Sequence, residues 1–429
     1  MENRQQGGNV AAIITMFALF FMIAFVTNFA SPMGFIAKNQ FNASNALSQL
    51  GNFANFFAYL FMGIPGGLIL KRKGYKFTAL TAVAVGFTGL AVQLASGYMS
   101  SFAVYVVGAF IAGFSMCMLN LVTNPLLNTL GGGGNKGNQL VQFGCSLNSV
   151  GATLSPMVLG WLIGEITKDT SFGDARPALL IAMGIFAVAF LIVAFSRIPE
   201  PHMETAEEKA ARLNGQTSVV KDIVATLKFR HFTLGALAIF FYIVIEVGVP
   251  SMGMLYMTEK IPVVGDVARN GPGYVGGAIA GVVCGAYWFC MMIGRLLGGI
   301  VGGKFSSRAQ VSFLAMCGIA LLLAAMFVPV RMVTVFGKEF PLSMAFMVAV
   351  GLCTSVMWGG IFNMAAEGLG KYVPMGSGIF MAMVFGGVLI PVQGLLADKI
   401  GILQSYWFSI ALLAYVLFYA LVGSRMKKA

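Results

Sequence analysis

The sequence contains very little charge. Only 10% of its 429 residues are Asp, Glu, Lys or Arg, whereas 58% are hydrophobic. Soluble domains carry about 25% charged residues, so this composition excludes a water-soluble protein. The 37 Phe, 27 Met and 54 Gly are instead typical of a polytopic α-helical membrane protein. A transmembrane β-barrel is excluded as well, because the apolar stretches continue well beyond about 18 residues without alternation.

Histidines, paired cysteines and nucleotide-binding motifs are equally scarce. The two histidines, His202 and His231, fall in or beside a polar central segment, which excludes a histidine proton relay through the membrane. The six cysteines form no CxxC or Cys/His pattern, so we interpret them as small core residues. The glycine run 131–134 lacks the GxxxxGK[ST] pattern of a phosphate-binding loop. The sequence therefore indicates neither an enzyme nor an ATP-driven pump, and we expect no cofactor and no metal.

Twelve apolar stretches are long enough to cross a bilayer. They are 9–37, 46–70, 77–98, 101–129, 139–164 and 177–197, then 231–257, 274–303, 309–330, 341–366, 375–397 and 402–423. The first stretch is too long for a signal peptide, so we expect it to remain as span 1. The sequence thus predicts an all-α polytopic membrane protein with twelve transmembrane helices in two pseudo-symmetric bundles of six. We place the bundles at 1–197 and 231–429, with a linker at 198–230.

The distribution of basic residues sets the orientation. With the N-terminus inside, 18 basic residues fall in cytoplasmic segments and 8 in external ones. This bias predicts cytoplasmic termini in a bacterial-type inner membrane, and it explains the net charge of +12 without a nucleic-acid partner. The linker from Glu207 to Arg230 has helical spacing and mixed charge. We predict an amphipathic helix at the cytoplasmic face, with a plain solvated linker as the alternative.

The two halves share short segments at a nearly constant offset. NPLLNTLG at 124–131 matches NMAAEGLG at 363–370, and the Gly-Gly pair at 66–67 matches the pair at 298–299, with offsets of 239 and 232 residues. Spans 5 and 11 both carry a glycine five residues before a proline. Together the matches indicate two parallel six-helix repeats, as in major facilitator transporters, which bind substrate near the midplane between their halves.

The chain resembles the fucose–proton symporter family of the major facilitator superfamily, which also contains glucose/galactose permeases. The resemblance covers nearly the whole chain. Its motifs are GIPGGLILKRKGYK (63–76), LVTNPLLNTLG (121–131), NSVG (148–151), FFYIVIEVG (240–248), GRLLG (294–298) and the stretch 372–391. The resemblance implies the fold of that superfamily and the transport of a sugar. We favour a proton as the coupling ion, with sodium as the alternative.

Two parts of the family pattern are missing. Fucose permeases carry an Asp in span 1 and a Glu in span 4 that are tied to sugar binding and proton coupling, and the matching positions here are about Ser31 and Asn120. The loop after span 2 has Lys71 and then Arg72 where the superfamily usually has an acidic residue. We predict a structural or gating role for this basic pair, and the family's coupling residues do not carry over.

One acidic residue lies deep in the membrane. Fourteen of the fifteen acidic residues fall in loops or at span ends, and Glu246 in the middle of span 7 is the exception. An ionised carboxylate there costs about 2.5–3.5 kcal/mol, so it must face a cavity, pair or stay protonated. We predict that Glu246 binds substrate or takes up the coupling proton; a protonated Glu that only joins helices is the alternative. Arg295 lies near the end of span 8, where we predict that it snorkels to the cytoplasmic face or caps a helix end.

Neutral polar side chains are the remaining candidates for sugar contact. Asn120, Asn124 and Asn128 recur every four residues along span 4 and form one row. Sugars are held by amides and carboxylates beside aromatic rings, although amides in membrane helices also serve as interhelical hydrogen bonds. The other candidate amides are Asn28, Asn52, Asn55, Gln142, Asn148, Asn363 and Gln393, and the candidate aromatic platforms are Phe143, Tyr242, Tyr287, Trp288 and Trp358.

The sequence predicts a monomeric secondary transporter in the lipid bilayer that imports a hexose, deoxyhexose or close derivative by rocking of its halves, with proton symport. A uniporter is the first alternative, because the family's acidic pair is missing. The second is an exporter of amphipathic compounds, whose site would hold fewer amides. A transport-like sensor would need a partner-binding extension, and we expect none in the six residues after Gly423.

Overall fold

The computed structural model describes residues 2–27, 50–163, 172–214, 218–260, 275–329, 331–335 and 338–426. The first half contains helices α1 (Glu2–Thr27), α2 (Leu50–Met99), α3 (Phe102–Leu130), α4 (Gly134–Ile163) and α5 (Phe172–Phe195). Two short helices, α6 (Ala206–Leu213) and α7 (Val219–Leu227), follow in the linker.

The second half contains eight further helices and one hairpin. They are α8 (Arg230–Lys260), α9 (Val275–Gly302), α10 (Ser307–Phe327), β1 (Met332–Val335), β2 (Lys338–Pro341), α11 (Leu342–Thr354), α12 (Met357–Ala366), α13 (Val373–Ala382), α14 (Ile390–Ile400) and α15 (Tyr406–Phe418). Short 3-10 segments lie at Gly370–Tyr372 and Met383–Leu389, and a π turn lies at Tyr419–Gly423.

Helix α2 contains two spans. Its apolar part, Phe53–Met99, has 47 residues, which would measure about 70 Å as a straight helix, more than twice the ~30 Å hydrocarbon core. Gly74, at φ 84°, breaks the helix between spans 2 and 3. Within the described ranges, nine helices including α2 are long and apolar enough to cross a membrane, and α1 adds the shorter apolar segment Val10–Phe25.

The elements correspond to the predicted spans. Helices α1, α3, α4 and α5 are spans 1, 4, 5 and 6, and α8, α9 and α10 are spans 7, 8 and 9. Span 10 consists of α11 and α12, span 11 continues from α13 to α14, and span 12 is α15 with the π turn. Counted over the described ranges, these elements account for the twelve predicted spans, six in each half.

Three local features differ from the expectation. The linker has two helices rather than one, because the side chains of Thr205 and Ser218 each cap a new helix. Between spans 9 and 10, β1 and β2 pair antiparallel in a hairpin that the apolar pattern does not predict. Span 11 is interrupted by the 3-10 segment Met383–Leu389, where a Gly-Gly pair weakens the α-helix shortly before Pro391.

The two halves meet along two pairs of spans, span 2 against span 11 and span 5 against span 8. Spans 2 and 11 touch at Gly63 and Gly378, where a Cβ atom on Gly63 would lie 2.5 Å from the Gly378 carbonyl oxygen. Glycine lets the two backbones touch there. In the other pair, Phe143 packs on Gly299. These four residues lie toward the end of the bundle that carries the linker.

Candidate functional site

A row of asparagines runs along α3. Asn120 and Asn124 are both buried. Nδ2 of Asn120 donates to the Tyr59 hydroxyl at 3.1 Å and to the Met116 carbonyl oxygen at 3.0 Å. Nδ2 of Asn124 donates to the backbone and side-chain oxygens of Asn120 at 3.0 and 3.2 Å. The four-residue spacing therefore produces a connected chain of amides on one face of span 4.

Trp358 of span 10 reaches this row from the second half. Its Nε1 donates to Oδ1 of Asn124 at 3.0 Å. Two rings flank the indole, with centroid distances of 6.4 Å to Tyr242 and 6.0 Å to Phe380. Amides from one half thus lie beside aromatic rings from the other, which is the combination that can hold the polar edge and the apolar face of a sugar ring.

The third asparagine of the row joins the halves directly. Nδ2 of Asn128 donates to Oδ1 of Asn363 at 2.6 Å, and Nδ2 of Asn363 donates to Ser307 Oγ at 2.8 Å. Gln142 of span 5 makes a similar link, because its Nε2 donates to the Val356 carbonyl oxygen at 2.9 Å. In this conformation these amides stabilise the contact between the halves, so Asn363 and Gln142 form interhelical hydrogen bonds.

The charged residues of spans 7 and 8 form an ion pair at the same interface. Nη2 of Arg295 lies 2.9 Å from Oε1 of Glu246, and the two side chains are only 8% and 12% exposed. Nη1 of Arg295 donates to Ser149 Oγ at 2.7 Å and to the Cys145 carbonyl oxygen at 3.4 Å, both on span 5. Its Nε donates to the Ser355 carbonyl oxygen at 3.4 Å. The guanidinium therefore binds groups of both halves at once.

Of the two alternatives predicted for Arg295, snorkelling to the cytoplasmic face is wrong, whereas a contact with a helix end is present, because its Nε donates to the carbonyl oxygen of Ser355, the C-cap of α11. The residue is buried, and its side chain is directed to Glu246 and span 5. Arg295 lies seven residues before the end of α9 at Gly302, about 10 Å along the helix axis. The buried carboxylate is nearer than the helix end, and without Arg295 it would be left as an uncompensated buried charge.

Three other candidates lie in different surroundings. Nδ2 of Asn148 donates to the Phe20 carbonyl oxygen at 3.1 Å, so Asn148 joins spans 5 and 1 inside the first half. Asn55 is buried, with its backbone packed against span 4. Gln393 is fully buried in span 11, and its side-chain oxygen lies beside span 7. None of these side chains makes a hydrogen bond to the asparagine row within the described part of the chain.

The remaining predicted residues can be placed only in part. Trp288 packs edge-on against Tyr287 of the same helix, with ring centroids 5.6 Å apart. Asn28 lies outside the described residues, as does the side chain of Asn52.

Three hydroxyl groups of the site are absent from the sequence candidates. Tyr59, Ser149 and Ser307 bind Asn120, Arg295 and Asn363, respectively. Hydroxyl side chains are common along membrane helices, where they bond to the preceding turn. Their spacing in the sequence therefore does not mark them as site residues. Only the packing of distant spans brings these three hydroxyl groups into the site.

The basic pair after span 2 lies beside the linker. Nζ of Lys71 lies 2.7 Å from Oδ2 of Asp222 in α7, with side chains 16% and 18% exposed. Arg72 lines the same cleft, which encloses about 510 Å³. Because α7 packs on spans 7 and 11, the ion pair connects span 2 to the second half. This position suits the structural or gating role predicted for Lys71 and Arg72.

The start of the linker is fixed at the break in α2. The Glu200 carboxylate accepts from the backbone N–H groups of Tyr75 and Lys76, and the Tyr75 hydroxyl lies 2.7 Å from His202 Nδ1. Burial raises the pKa of the Glu200 carboxyl, while the two N–H groups and the Lys76 charge oppose the rise. Burial also lowers the pKa of His202. Both side chains thus anchor the linker to span 3.

Two six-helix halves with amides, aromatic rings and a buried ion pair between them define a class of protein, the two-bundle membrane transporters. The model of the Major Facilitator Superfamily matches residues 13–261, more than half of the sequence. The chain belongs to this family.

Known proteins resemble the chain over nearly its whole length. It is 27% identical over 427 residues to the glucose/galactose transporter of Brucella abortus, which covers 99% of this chain and 97% of that protein. It is 23% identical over 424 residues to the L-fucose-proton symporter of Escherichia coli, with 92% and 90% covered. The crystal structure of the E. coli fucose:proton symporter superposes with a TM-score of 0.81 at 19% identity over 98% of this chain and 100% of that chain. The predicted fold is thereby confirmed.

Proposed function

We propose that the protein imports a monosaccharide together with a proton by alternating access. The observation that carries this proposal is the cluster of Asn120, Asn124 and Trp358 between the halves, at the same interface as the ion pair of Glu246 and Arg295. The names of the relatives, which are glucose/galactose and fucose–proton transporters, support the same substrate class. Glucose, galactose and L-fucose are the first sugars to test, followed by other deoxyhexoses and amino sugars.

Glu246 is the proposed proton-binding group. Its carboxylate binds the guanidinium of Arg295, which also donates to Ser149 in the first half. A proton on the carboxylate cancels the attraction between the two charges, so the strength of this contact between the halves depends on protonation. Sodium is the alternative coupling ion, and the same carboxylate offers it oxygen ligands. Coupling then follows if sugar binding and proton binding favour the same rearrangement of the halves.

The arrangement in the membrane follows from the basic residues. We expect 1–197 and 231–429 to move as the two halves, with 198–230 as their linker. The linker and both termini face the cytoplasm of a bacterial-type inner membrane, where the transporter acts as a monomer. In this orientation the contacts Gly63–Gly378 and Asn128–Asn363 lie on the cytoplasmic side. The described conformation is then the one closed to the cytoplasm.

A single substitution separates coupling from sugar binding. Glutamine at position 246 keeps the size of the side chain and an oxygen that accepts from Arg295, but it cannot take up a proton. We therefore expect Glu246→Gln in proteoliposomes to lose sugar accumulation driven by a pH gradient while equilibrium exchange of labelled sugar continues. Unchanged accumulation would rule out the coupling role.

The matched control is Glu367→Gln. Glu367 is an exposed carboxylate after span 10. Its backbone oxygen, which the substitution keeps, accepts from Nε2 of His231 at 2.7 Å. This variant should accumulate sugar as the unaltered chain does.

The sugar itself is identified by screening for compounds that raise the midpoint of thermal unfolding, since a ligand does so only by binding the folded state more tightly than the unfolded one.

A further inference from the structure

A groove lies on the outer surface of the first half, between spans 1 and 6. It encloses about 370 Å³, and its lining is apolar except for Thr15. On the span 6 side, Ile181, Val188 and Ile192 are 42%, 57% and 43% exposed. Gly184 lies among them, and a Cβ atom added there would have no atom within 4 Å. The space above this glycine is therefore open, and no side chain of the described residues fills it.

The groove is as long as one leaflet of a bilayer. From Ile181 to Ile192, span 6 advances by eleven residues, or about 16 Å. Half of a typical hydrocarbon core is about 15 Å. On span 1, the groove is lined from Thr15 to Met22, about 10 Å along the helix. The groove thus runs along the middle of span 6, and its length of about 16 Å fits one extended acyl chain.

The end of the groove next to the linker is cationic. The Thr15 hydroxyl lies 3.0 Å from the Ser196 hydroxyl, which places Ser196 at this end. Nζ of Lys76 donates to the carbonyl oxygens of Ala194 and Ser196 at 2.7 and 3.0 Å. Arg197 follows directly and is exposed. Of these two cations, Lys76 binds the end of span 6, and Arg197 lies where the groove opens toward the linker.

The carboxylate of Glu200 is already engaged beside Lys76. Glu200 accepts from the backbone N–H groups of Tyr75 and Lys76, and its electrostatic partner is Lys76. Arg197 thus keeps its positive charge available at the opening. A guanidinium binds the oxygens of a phosphate in a bidentate manner, and basic residues at the membrane surface attract anionic lipids.

We propose that this groove binds one anionic phospholipid of the cytoplasmic leaflet, with an acyl chain along Gly184 and the phosphate at Arg197. The site uses the proposed orientation of the chain in the membrane. It does not depend on the proposed sugar transport.

The experiment measures lipids retained by the purified full chain in detergent, by native mass spectrometry, after equal amounts of phosphatidylglycerol and phosphatidylcholine are added. We expect the unaltered protein to retain one phosphatidylglycerol preferentially. Gly184→Leu fills the groove without a clash and should lower this retention at least tenfold. Gly285→Leu is the matched control, because Gly285 is an exposed glycine of span 8 with equally open surroundings, and it should retain the lipid.

Arg197→Gln tests the headgroup contact at an exposed position where folding is not at risk. Retention of phosphatidylglycerol should fall severalfold, and that of phosphatidylcholine should not change. Equal retention of phosphatidylglycerol by the unaltered chain and Gly184→Leu would overturn the acyl-chain site. Equal retention of both lipids by the unaltered chain would overturn the anionic assignment. Since retention is measured without sugar, a failure of the transport proposal leaves this test unaffected.

Discussion

The contact between Gly63 and Gly378 makes the closed cytoplasmic side sensitive to a single methyl group. In Gly63→Ala, the new Cβ atom would lie 2.5 Å from the Gly378 carbonyl oxygen and 2.7 Å from the Ala382 nitrogen. Ordinary contacts begin near 3.4 Å, so the helices must separate by about 0.9 Å. Both neighbours are backbone atoms, which cannot move aside as a flexible side chain can. The closed conformation therefore bears the cost of the added methyl group.

The size of the effect can be estimated from overpacking. An extra methyl group in a tightly packed site costs about 1–3 kcal/mol. If the halves separate on the cytoplasmic side in the other conformation, only the closed state bears this cost. The equilibrium should then shift toward the cytoplasm-open state by about 5- to 150-fold.

The shift can be followed by labelling Cys145 as the single remaining cysteine. Cys145 is 4% exposed, and its carbonyl oxygen accepts from Arg295 at the interface. We expect a membrane-impermeant maleimide applied to the cytoplasmic side of inverted vesicles to label Gly63→Ala several times faster than its parent. Gly285→Ala, whose Cβ atom meets nothing within 4 Å, should label at the parental rate. If Gly63→Ala also labels at the parental rate, this interpretation of the glycine contact is refuted.

Three further predictions follow from single contacts. Trp358→Phe keeps a ring but removes the N–H that Asn124 accepts, so the Kd for sugar in a binding assay should rise about fivefold, the equivalent of about 1 kcal/mol. Lys71→Gln should lower the midpoint of thermal unfolding, and exchanging the charges of Lys71 and Asp222 should restore it. Because burial lowers the pKa of His202, stability should decrease as pH falls from 6.5 toward the folded pKa, by at most about 1.4 kcal/mol per pH unit, and His202→Gln should remove this dependence in thermal unfolding.

Each of the three predictions has a control variant or a result that would contradict it. Trp407→Phe, at an exposed tryptophan of span 12, should leave the Kd unchanged. An equal loss of affinity in both tryptophan variants would contradict the role of Trp358. If the variant with the exchanged charges has no higher midpoint of thermal unfolding than Lys71→Gln, the ion pair does not stabilise the fold. If the thermal stability of His202→Gln still declines below pH 6.5, a group other than His202 causes the decline.

Local sequence patterns predict the spans and the row of asparagines, because these features do not depend on contacts between distant residues. The row of Asn120 and Asn124 follows from a four-residue repeat on one helix, and the spans follow from length and apolarity. The partners of Arg295 could not be predicted in this way. Glu246 and Ser149 are 49 and 146 residues away in sequence, and only the packing of spans 5, 7 and 8 brings them together.

The hairpin between spans 9 and 10 was missed for a different reason. A search for long apolar stretches treats the segment between two spans as a loop, so short strands within it are not considered. Yet the segment MVTV at 332–335 is rich in β-branched residues, which favour strands. A search for short strands in the loops would have found β1.

Sugar-driven proton movement tests the central claim most directly. Sugar is added outside proteoliposomes in weak buffer, and the external pH is recorded. We expect the unaltered protein to make the external medium more alkaline as sugar enters, because each sugar carries a proton inward, and we expect Glu246→Gln to give no such change. Sugar entry through the unaltered protein without any change in pH would contradict proton symport.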